Sequence, residues 1–440
     1  MTDIYQLLLK QRIGNPSLPC VSEGDLVQRG TRIAVADGLG TDLHASVSGR
    51  IVRITHQAIS IRGHQPKKDE FAALPSGTMA ERIHAAGIVG MGGAGFPTAI
   101  KLDQKIPGGT IIVNAAECEP ILAHNIVQIE RQPAEVYRGL GYAMKMTKAA
   151  KGVIAIKAKH KKAISRLQAI IDDERISIFL LHDLYPVGDE RALIRDVLGN
   201  LLPPEKRVIS ANAIVINSET LSRVTQAVEI GRPVISKNLT LAGKLRGGPK
   251  IIPLLNVPIG TRVGDLIDEF GGIDGDFGEI LMDGPFMGHR VSEDDVITKT
   301  TGAIIVTMPF LRQHTPLGLL VCACSASEPR MREIAKDMGA KVIGVQKCKY
   351  AVETRGRLRC QNPGVCPGQA DRILKLKKAG AKALLIGNCS DCTNTVMSIA
   401  PKLHLPVHHV TDGALRATNL HLIRKRQSAQ QPLPSIETSD

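Results

Sequence analysis

Seven of the nine cysteines in this chain of 440 residues lie after position 320. Their spacing suits redox or metal chemistry better than a disulfide framework. They read Cys322-x-Cys324, Cys348, Cys360, Cys366 before a proline, and Cys389-Ser-Asp-Cys392. The last pair follows the strand-like run ALLIG, so its first thiol stands at a strand end or helix start, where the positive dipole favours thiolate. Two chemistries suit the set. Either Cys389 and Cys392 form a dithiol/disulfide pair, or four of the seven hold zinc or an iron–sulfur cluster, with Cys322, Cys324, Cys348, Cys360 and Cys366 as candidate ligands. The ferredoxin run C-x2-C-x2-C-x3-C-P occurs nowhere. Cys20 and Cys118 are isolated, and Cys20 reads as structural.

The second chemical text is Gly90-Met-Gly-Gly-Ala-Gly-Phe-Pro-Thr98, followed by Lys101. Glycines at 90, 92, 93 and 95 let a backbone fold tightly and turn its N–H groups on an anion, and a lysine just beyond can pair with phosphate. A glycine-rich bend between two elements would read the same way. The Walker pattern is excluded, because no Gly-Lys-Ser or Gly-Lys-Thr closes the loop.

The elements that must position these residues fall into several styles. Short Val/Ile runs cut by glycine between Cys20 and Ile61 suggest a small all-β sandwich over residues 1–65. Strand-like TIIVNAA, GVIAIKA, ISIFLL and AIVIN alternate with helix-like segments, which makes 66–235 a layered, Rossmann-like α/β domain. GTRVGDLIDEFGGI, EILMDG and AIIVTM mark a further small unit, 236–312. From 313 to 426 the text is βαβ again, with cysteines at the C-terminal ends of strands, where open α/β sheets place their chemistry. Residues 427–440, rich in Gln, Pro and Ser, read as a disordered tail. The fold class is thus α/β and multidomain, as the length requires, since domains usually close at roughly 100 to 200 residues.

Composition narrows the function. An apolar share of 43% against 22% charged residues is that of a folded soluble protein. No apolar stretch reaches the roughly 18 residues of a membrane helix, and the N-terminus MTDIYQLLLKQRIG lacks the regions of a signal peptide, so a cytoplasmic protein is expected. The net charge of +14 is spread over ordinary segments, apart from the KAKHKK run at 157–162 and Arg424 to Arg426. No stacking aromatics or helix-turn-helix text accompany it, so nucleic acid is not the expected partner. Acidic proteins or phosphate-bearing cofactors are.

GMGGAGFPTAIKL, VNAAECEP at 113–120, YPVGDERALI at 185–194 and VINSETL at 215–221 occur together in the order and spacing of RnfC proteins and of the flavin-bearing subunit of bacterial NADH dehydrogenase. The N-terminal sandwich resembles the barrel-sandwich hybrid of lipoyl and biotinyl carriers, but no lysine lies between Lys10 and Lys67 to serve as a swinging arm. GTRVGDLI resembles the β-grasp module that binds soluble ligands (SLBB). The resemblance covers residues from about 20 to 310. It implies that Gly90, Gly92, Gly93, Gly95 and Lys101 serve the phosphate and ribityl chain of FMN, with Asn114, Glu117, Tyr185, Gly188 and Asn217 around the flavin. Phe96 and Glu119 would face NADH, with Glu190 beside the nicotinamide and Cys118 close to the flavin. One departure is Ala116, where the dehydrogenase subunit has aspartate. The C-terminal part looks like PrdC, the proline reductase-associated electron-transfer protein.

The implied activity is an electron-transfer flavoprotein. NADH reduces FMN, and electrons leave through the C-terminal thiols or their metal centre to a partner reductase of proline-reductase type or an Rnf-type complex. Any association with a membrane would go through such partners. The rival is a non-catalytic RnfC-like scaffold that docks other redox proteins without flavin, motivated by Ala116 and the missing ferredoxin text.

Overall fold

A computed structural model describes residues 3–65, 68–387 and 389–424. The tail read as disordered lies outside the described residues. No described helix is long and apolar enough to cross a membrane.

The N-terminal runs form two small sheets. One is four-stranded, in the order Ile4–Leu8, Ala58–Gly63, Gly49–Ile54, Leu26–Val27, and the other joins Leu18–Pro19, Arg32–Val35 and Leu43–His44. Ile33, Leu43, Ile51, Ile59 and Ile61 fill the space between them. The strand Ile4–Leu8 has no turn signal before it and is recognisable only by its antiparallel pairing, Ile4 with Arg62 through Leu8 with Ala58.

All four strand-like runs of the next domain are strands in one parallel sheet, ordered Ile176–Leu181, Lys151–Lys157, Thr110–Asn114, Ala213–Asn217. Their near-continuous Val/Ile text fits a sheet buried on both faces. Helices Pro133–Thr147 and Ser218–Ile230 pack together on one side, and Glu190–Leu198 lies on the other. In-register parallel pairing brings the C-terminal ends Asn114, Lys157, Leu181 and Asn217 to a single edge.

The third unit is a mixed five-stranded sheet, Gly248–Pro258, Ser236–Leu245, Ala303–Val306, Ile280–Met282, His289–Val291, with the helix Val263–Glu269 against it. A buried lysine ties three parts of the chain together. Lys299 Nζ donates to Asp42 O and Gly87 O, both at 2.7 Å, and burial lowers its pKa to about 7.

After residue 313 a second parallel sheet runs Val342–Lys347, Leu317–Val321, Ala383–Gly387, Val407–His409. The helices Glu328–Asp337 and Ala370–Lys378 stand where the sequence places them. The hairpin Ala351–Thr354 with Arg357–Cys360 is an addition the sequence does not announce, because its strands are short and interrupted by charged residues. Ion pairs from Glu279 to Arg290 and Arg330, and from Arg290 to Asp337, hold this sheet's helix against the third unit.

Candidate functional site

The glycine loop sits between the isolated bridge Val89–Pro97 and the helix Thr98–Asp103. It is closed by Gly95 N donating to Gly90 O and Gly90 N donating to Phe96 O, both at 2.9 Å. Met91 N donates to Thr220 Oγ1 at 3.0 Å, which pins the loop to the helix Ser218–Ile230. Gly93 (φ +98°) and Gly95 (φ +68°) occupy the left-handed region that other residues rarely adopt. Among the described residues, no hydrogen bond takes up the N–H groups of Gly92, Gly93 and Ala94, and the space beyond Gly93 is open for 4 Å. Three unpaired donors around a glycine turn make an anion-binding concavity.

Around that loop the strand ends collect the other residues. Asn217 caps the helix Ser218–Ile230, its Oδ1 accepting from Glu219 N (2.9 Å) and Thr220 N (3.4 Å), while its amide nitrogen faces Gly92. Asn114 is a cross-brace: Nδ2 donates to Gly188 O at 2.9 Å and Oδ1 accepts from Ala116 N at 3.1 Å. Cys118 lies against Gly188, where any side chain would run into its sulfur, and burial pushes the Cys118 thiol up to about 12. Lys101 Nζ stands 3.2 Å from Glu190 Oε1.

Glu117 belongs to a charged group that includes Lys157 and His160, which the sequence presents only as part of the basic KAKHKK run, and Asp183. His160 Nε2 lies 2.6 Å from Glu117 Oε1, and Lys157 Nζ lies 3.7 Å from Oε2 and 3.2 Å from Asp183. Lys157 opens the KAKHKK run yet is fully buried, because it is the last residue of a central strand. Its ammonium stands 3.9 Å over the Tyr185 ring. Burial lowers the pKa of Lys157. Burial opposes ionisation of Glu117 too, but the contact with His160 and the charge of Lys157 leave it below the usual carboxylate range. Glu117 Oε2 is buried and accepts no hydrogen bond. Three free N–H donors with a lysine on the following helix suit a phosphate, and a buried carboxylate oxygen that accepts no hydrogen bond suits a ring N–H, a pairing of groups that FMN carries on its ribityl phosphate and its flavin ring.

Glu119 is held elsewhere. Its carboxylate accepts from Phe286 N at 2.6 Å and Met287 N at 3.3 Å, in a turn of the third unit, and a side chain at Gly284 would run into it. Burial pushes Glu119 up to about 7. Phe286 in turn lies 6.0 Å from Tyr185 and 5.5 Å, edge-on, from His409. Nothing in the sequence pattern marks Phe286 beyond its place in the turn text DGPFMG.

The cysteines converge as the parallel topology dictates. Cys322 follows the strand Leu317–Val321, Cys348 follows Val342–Lys347, and Cys389 caps the helix Ser390–Met397 just past Ala383–Gly387. Sulfurs of Cys322, Cys348 and Cys392 lie within 4.8 Å of one another, all buried. Cys324 contacts Cys322 and Cys360, while Cys392 also touches Cys366 and Cys389. Contacts with Cys324, Cys348 and Cys392 draw the Cys322 thiol well down, and Cys392 draws Cys366 down to about 6. Three thiols at this spacing with more at hand suit a thiophilic cation or an iron–sulfur centre.

This group is docked on the first parallel domain. Tyr185 N donates to Ser390 Oγ and Ser390 N donates to Tyr185 O, both at 3.2 Å. Arg191, buried in the interface, donates to Cys360 O, to Gln361 O at 2.7 Å and to Leu202 O. Arg195 reaches Asn362 Oδ1 at 2.6 Å.

Comparison with known proteins agrees with this geometry. Residues 83–226 match the Nuo51 FMN-binding domain, and residues 1–67 match the RnfC barrel sandwich hybrid domain. The chain is 30% identical over 335 residues to the C subunit of the Na(+)-translocating ferredoxin:NAD(+) oxidoreductase complex of Acetobacterium woodii, covering 70% of this chain and 74% of that one. It is 32% identical over 322 residues to the C subunit of the proton-translocating ferredoxin:NAD(+) oxidoreductase complex of Clostridium ljungdahlii, covering 68% and 69%. With the cobalamin reductase PduS of Citrobacter freundii it shares 37% identity over 231 residues, 52% of this chain and about half, 49%, of the relative. A flavin-domain match joined to two-thirds coverage of these electron-transport subunits leads to one conclusion: the chain belongs to the RnfC family of FMN- and NAD-linked oxidoreductase subunits.

Proposed function

We propose that this protein passes electrons from NADH, through FMN bound at the glycine loop, to the C-terminal cysteines and from there to a partner reductase in the cytoplasm. The observation that carries the reading is the docking of the two centres. Ser390, between Cys389 and Cys392, exchanges backbone and hydroxyl hydrogen bonds with Tyr185 of the candidate flavin bed, so thiols and flavin share one wall. FMN, when bound, supplies the hydride acceptor, and the protein's part is positioning. Gly90, Gly92, Gly93 and Gly95 offer the N–H cradle and Lys101 a counter-charge for phosphate. Asn114, Gly188 and Asn217 fix the surrounding loops, and Glu117 holds an unpaired acceptor. Tyr185 is kept in place by Lys157 beneath its ring. Phe96, Glu119 and Glu190 are assigned to NADH, and the third unit to an SLBB-type β-grasp.

The acceptor is proposed to be a reductase of proline-reductase type, on the resemblance of the C-terminal part to PrdC. The relatives named as ferredoxin:NAD(+) oxidoreductase subunits and cobalamin reductases offer alternative acceptor classes. The test is a visible spectrum of anaerobically purified protein before and after NADH. Bound flavin that bleaches on addition is the expected result. Protein without flavin would instead favour the docking scaffold, a reading to which the capture of Glu119 by Phe286 and Met287 lends support.

A further inference from the structure

The seven clustered cysteines are not equivalent in what surrounds their sulfurs. Gln369 is a buried side chain, 1% exposed, whose amide nitrogen points at three of them: Cys348 Sγ at 3.1 Å, Cys366 Sγ at 3.4 Å and Cys392 Sγ at 4.0 Å. Its carbonyl oxygen has no partner. A buried amide left half unsatisfied in order to donate to sulfur makes little sense beside neutral thiols, which accept hydrogen bonds weakly, and good sense beside thiolates. Cys366 takes a second donor from Gly368 N at 3.3 Å, in the turn Cys366-Pro-Gly368 where Gly368 has φ +86°. The same residue is anchored by its own N–H, which donates to Asp391 Oδ2 at 2.6 Å.

Two helices also begin here. Gln369 is the N-cap of Ala370–Lys378, and Cys392 lies in the first turn of Ser390–Met397, so the positive ends of both helices lie beside residues of the cluster. Backbone N–H groups of Cys324 and Tyr350 turn on the sulfurs of Cys322 and Cys348. By contrast, no side-chain amide is found on the sulfur of Cys324, Cys360 or Cys389 among the described residues, and Cys360 meets the Cys324 sulfur and the backbone N–H of Asn362.

We propose that Cys322, Cys348, Cys366 and Cys392 are the four ligands of one thiophilic metal centre, a zinc ion or an iron–sulfur cluster, with Gln369 donating to its sulfurs and Cys324, Cys360 and Cys389 outside the ligand set. The inference deepens the electron-exit reading and rests on it only for what the centre does. Three ligands come from two strand ends and a helix first turn, and the fourth is delivered by a glycine turn. Four thiolates exceed the charge of a divalent cation, and the helix ends and N–H donors offset the excess.

The test is metal and sulfide analysis of the full chain purified without oxygen, beside the variants Cys366→Ser, Cys389→Ser, Cys360→Ser and Gln369→Ala. About one metal centre per chain is expected in the parent, in Cys360→Ser and in Cys389→Ser, with loss in Cys366→Ser. Gln369→Ala should bind zinc or reconstituted iron on the order of tenfold to a hundredfold more weakly. Circular dichroism and thermal melting are recorded on every sample, so a variant that has simply misfolded is recognised whether or not the chain carries flavin. Zinc with no iron supports the ligand set while refuting electron exit through it; iron with sulfide supports both. The inference is overturned by a metal-free parent, by full metal in Cys366→Ser, or by selective metal loss in Cys389→Ser.

Discussion

The glycine-loop site and the cysteine site are built on the same kind of scaffold, the C-terminal edge of a parallel sheet, yet they are assembled in opposite ways. The first is mostly backbone. Its donors are N–H groups of an exposed loop, its side chains brace that loop, and each contribution is a short contiguous motif. The second is almost all side chain, buried, and contributed by residues spread from Cys322 to Cys392. A backbone cradle can be lost through one wrong φ, whereas a buried sulfur cluster fails by losing a ligand or the packing that gathers it.

The largest effect expected from this contrast is at Gly93. Gly93→Val places a branched residue at φ +98° and directs its side chain into the open space before the loop, so flavin content should fall to near zero while circular dichroism stays that of the parent. Equal flavin occupancy would remove the cradle from the account.

The contact between the two regions comes next. Arg191→Ala removes the donors to the carbonyls of Cys360, Gln361 and Leu202 and leaves them buried. Hydrogen bonds from a charged group are worth about 1.5 to 3 kcal/mol each, and a loss of about 3 kcal/mol in urea unfolding is expected. A change under about 0.5 kcal/mol would mean the two regions are not coupled through this residue.

Glu119 separates catalysis from docking. If it meets NADH once the turn at Phe286 moves aside, Glu119→Ala raises the KM for NADH by roughly tenfold to a hundredfold, from the loss of about 1.5 to 3 kcal/mol. If it only clasps the turn, KM is unchanged.

The last effect is in pH dependence. Burial raises Glu119 from 4.5 to about 7, so the folded chain keeps a proton that the unfolded chain releases. The stabilisation this gives is complete below about pH 4.5 and is lost as pH rises towards 7. The melting temperature of the parent should therefore fall relative to Glu119→Gln across that window. Parallel profiles would show that the carboxylate ionises as freely as in solvent.

The same contrast governs what can be read from sequence. Strand text such as AIVIN and LGLLV is legible because parallel strands are continuous apolar runs, and the glycine loop because its spacing is local. Lys157 is hidden because a lysine inside KAKHKK looks like solvated charge, and only its place at the end of a central strand buries it. Gln369 and Arg191 carry no local signal of their roles: apart from Cys366 beside Gln369, their sulfur and carbonyl partners lie further along the chain or across a domain contact. The strand Ile4–Leu8 is similarly silent, being defined by pairing with residues some fifty positions or more away.

The central claim is that electrons entering at the flavin pass on to the cysteine region within one chain. An anaerobic reductive titration with NADH, counting electrons taken up per flavin in the parent and in Cys392→Ser, tests it directly. The parent should accept more electrons than flavin alone can hold, and the variant should stop at the flavin's own two. Identical uptake in both, limited to the flavin, would contradict the account.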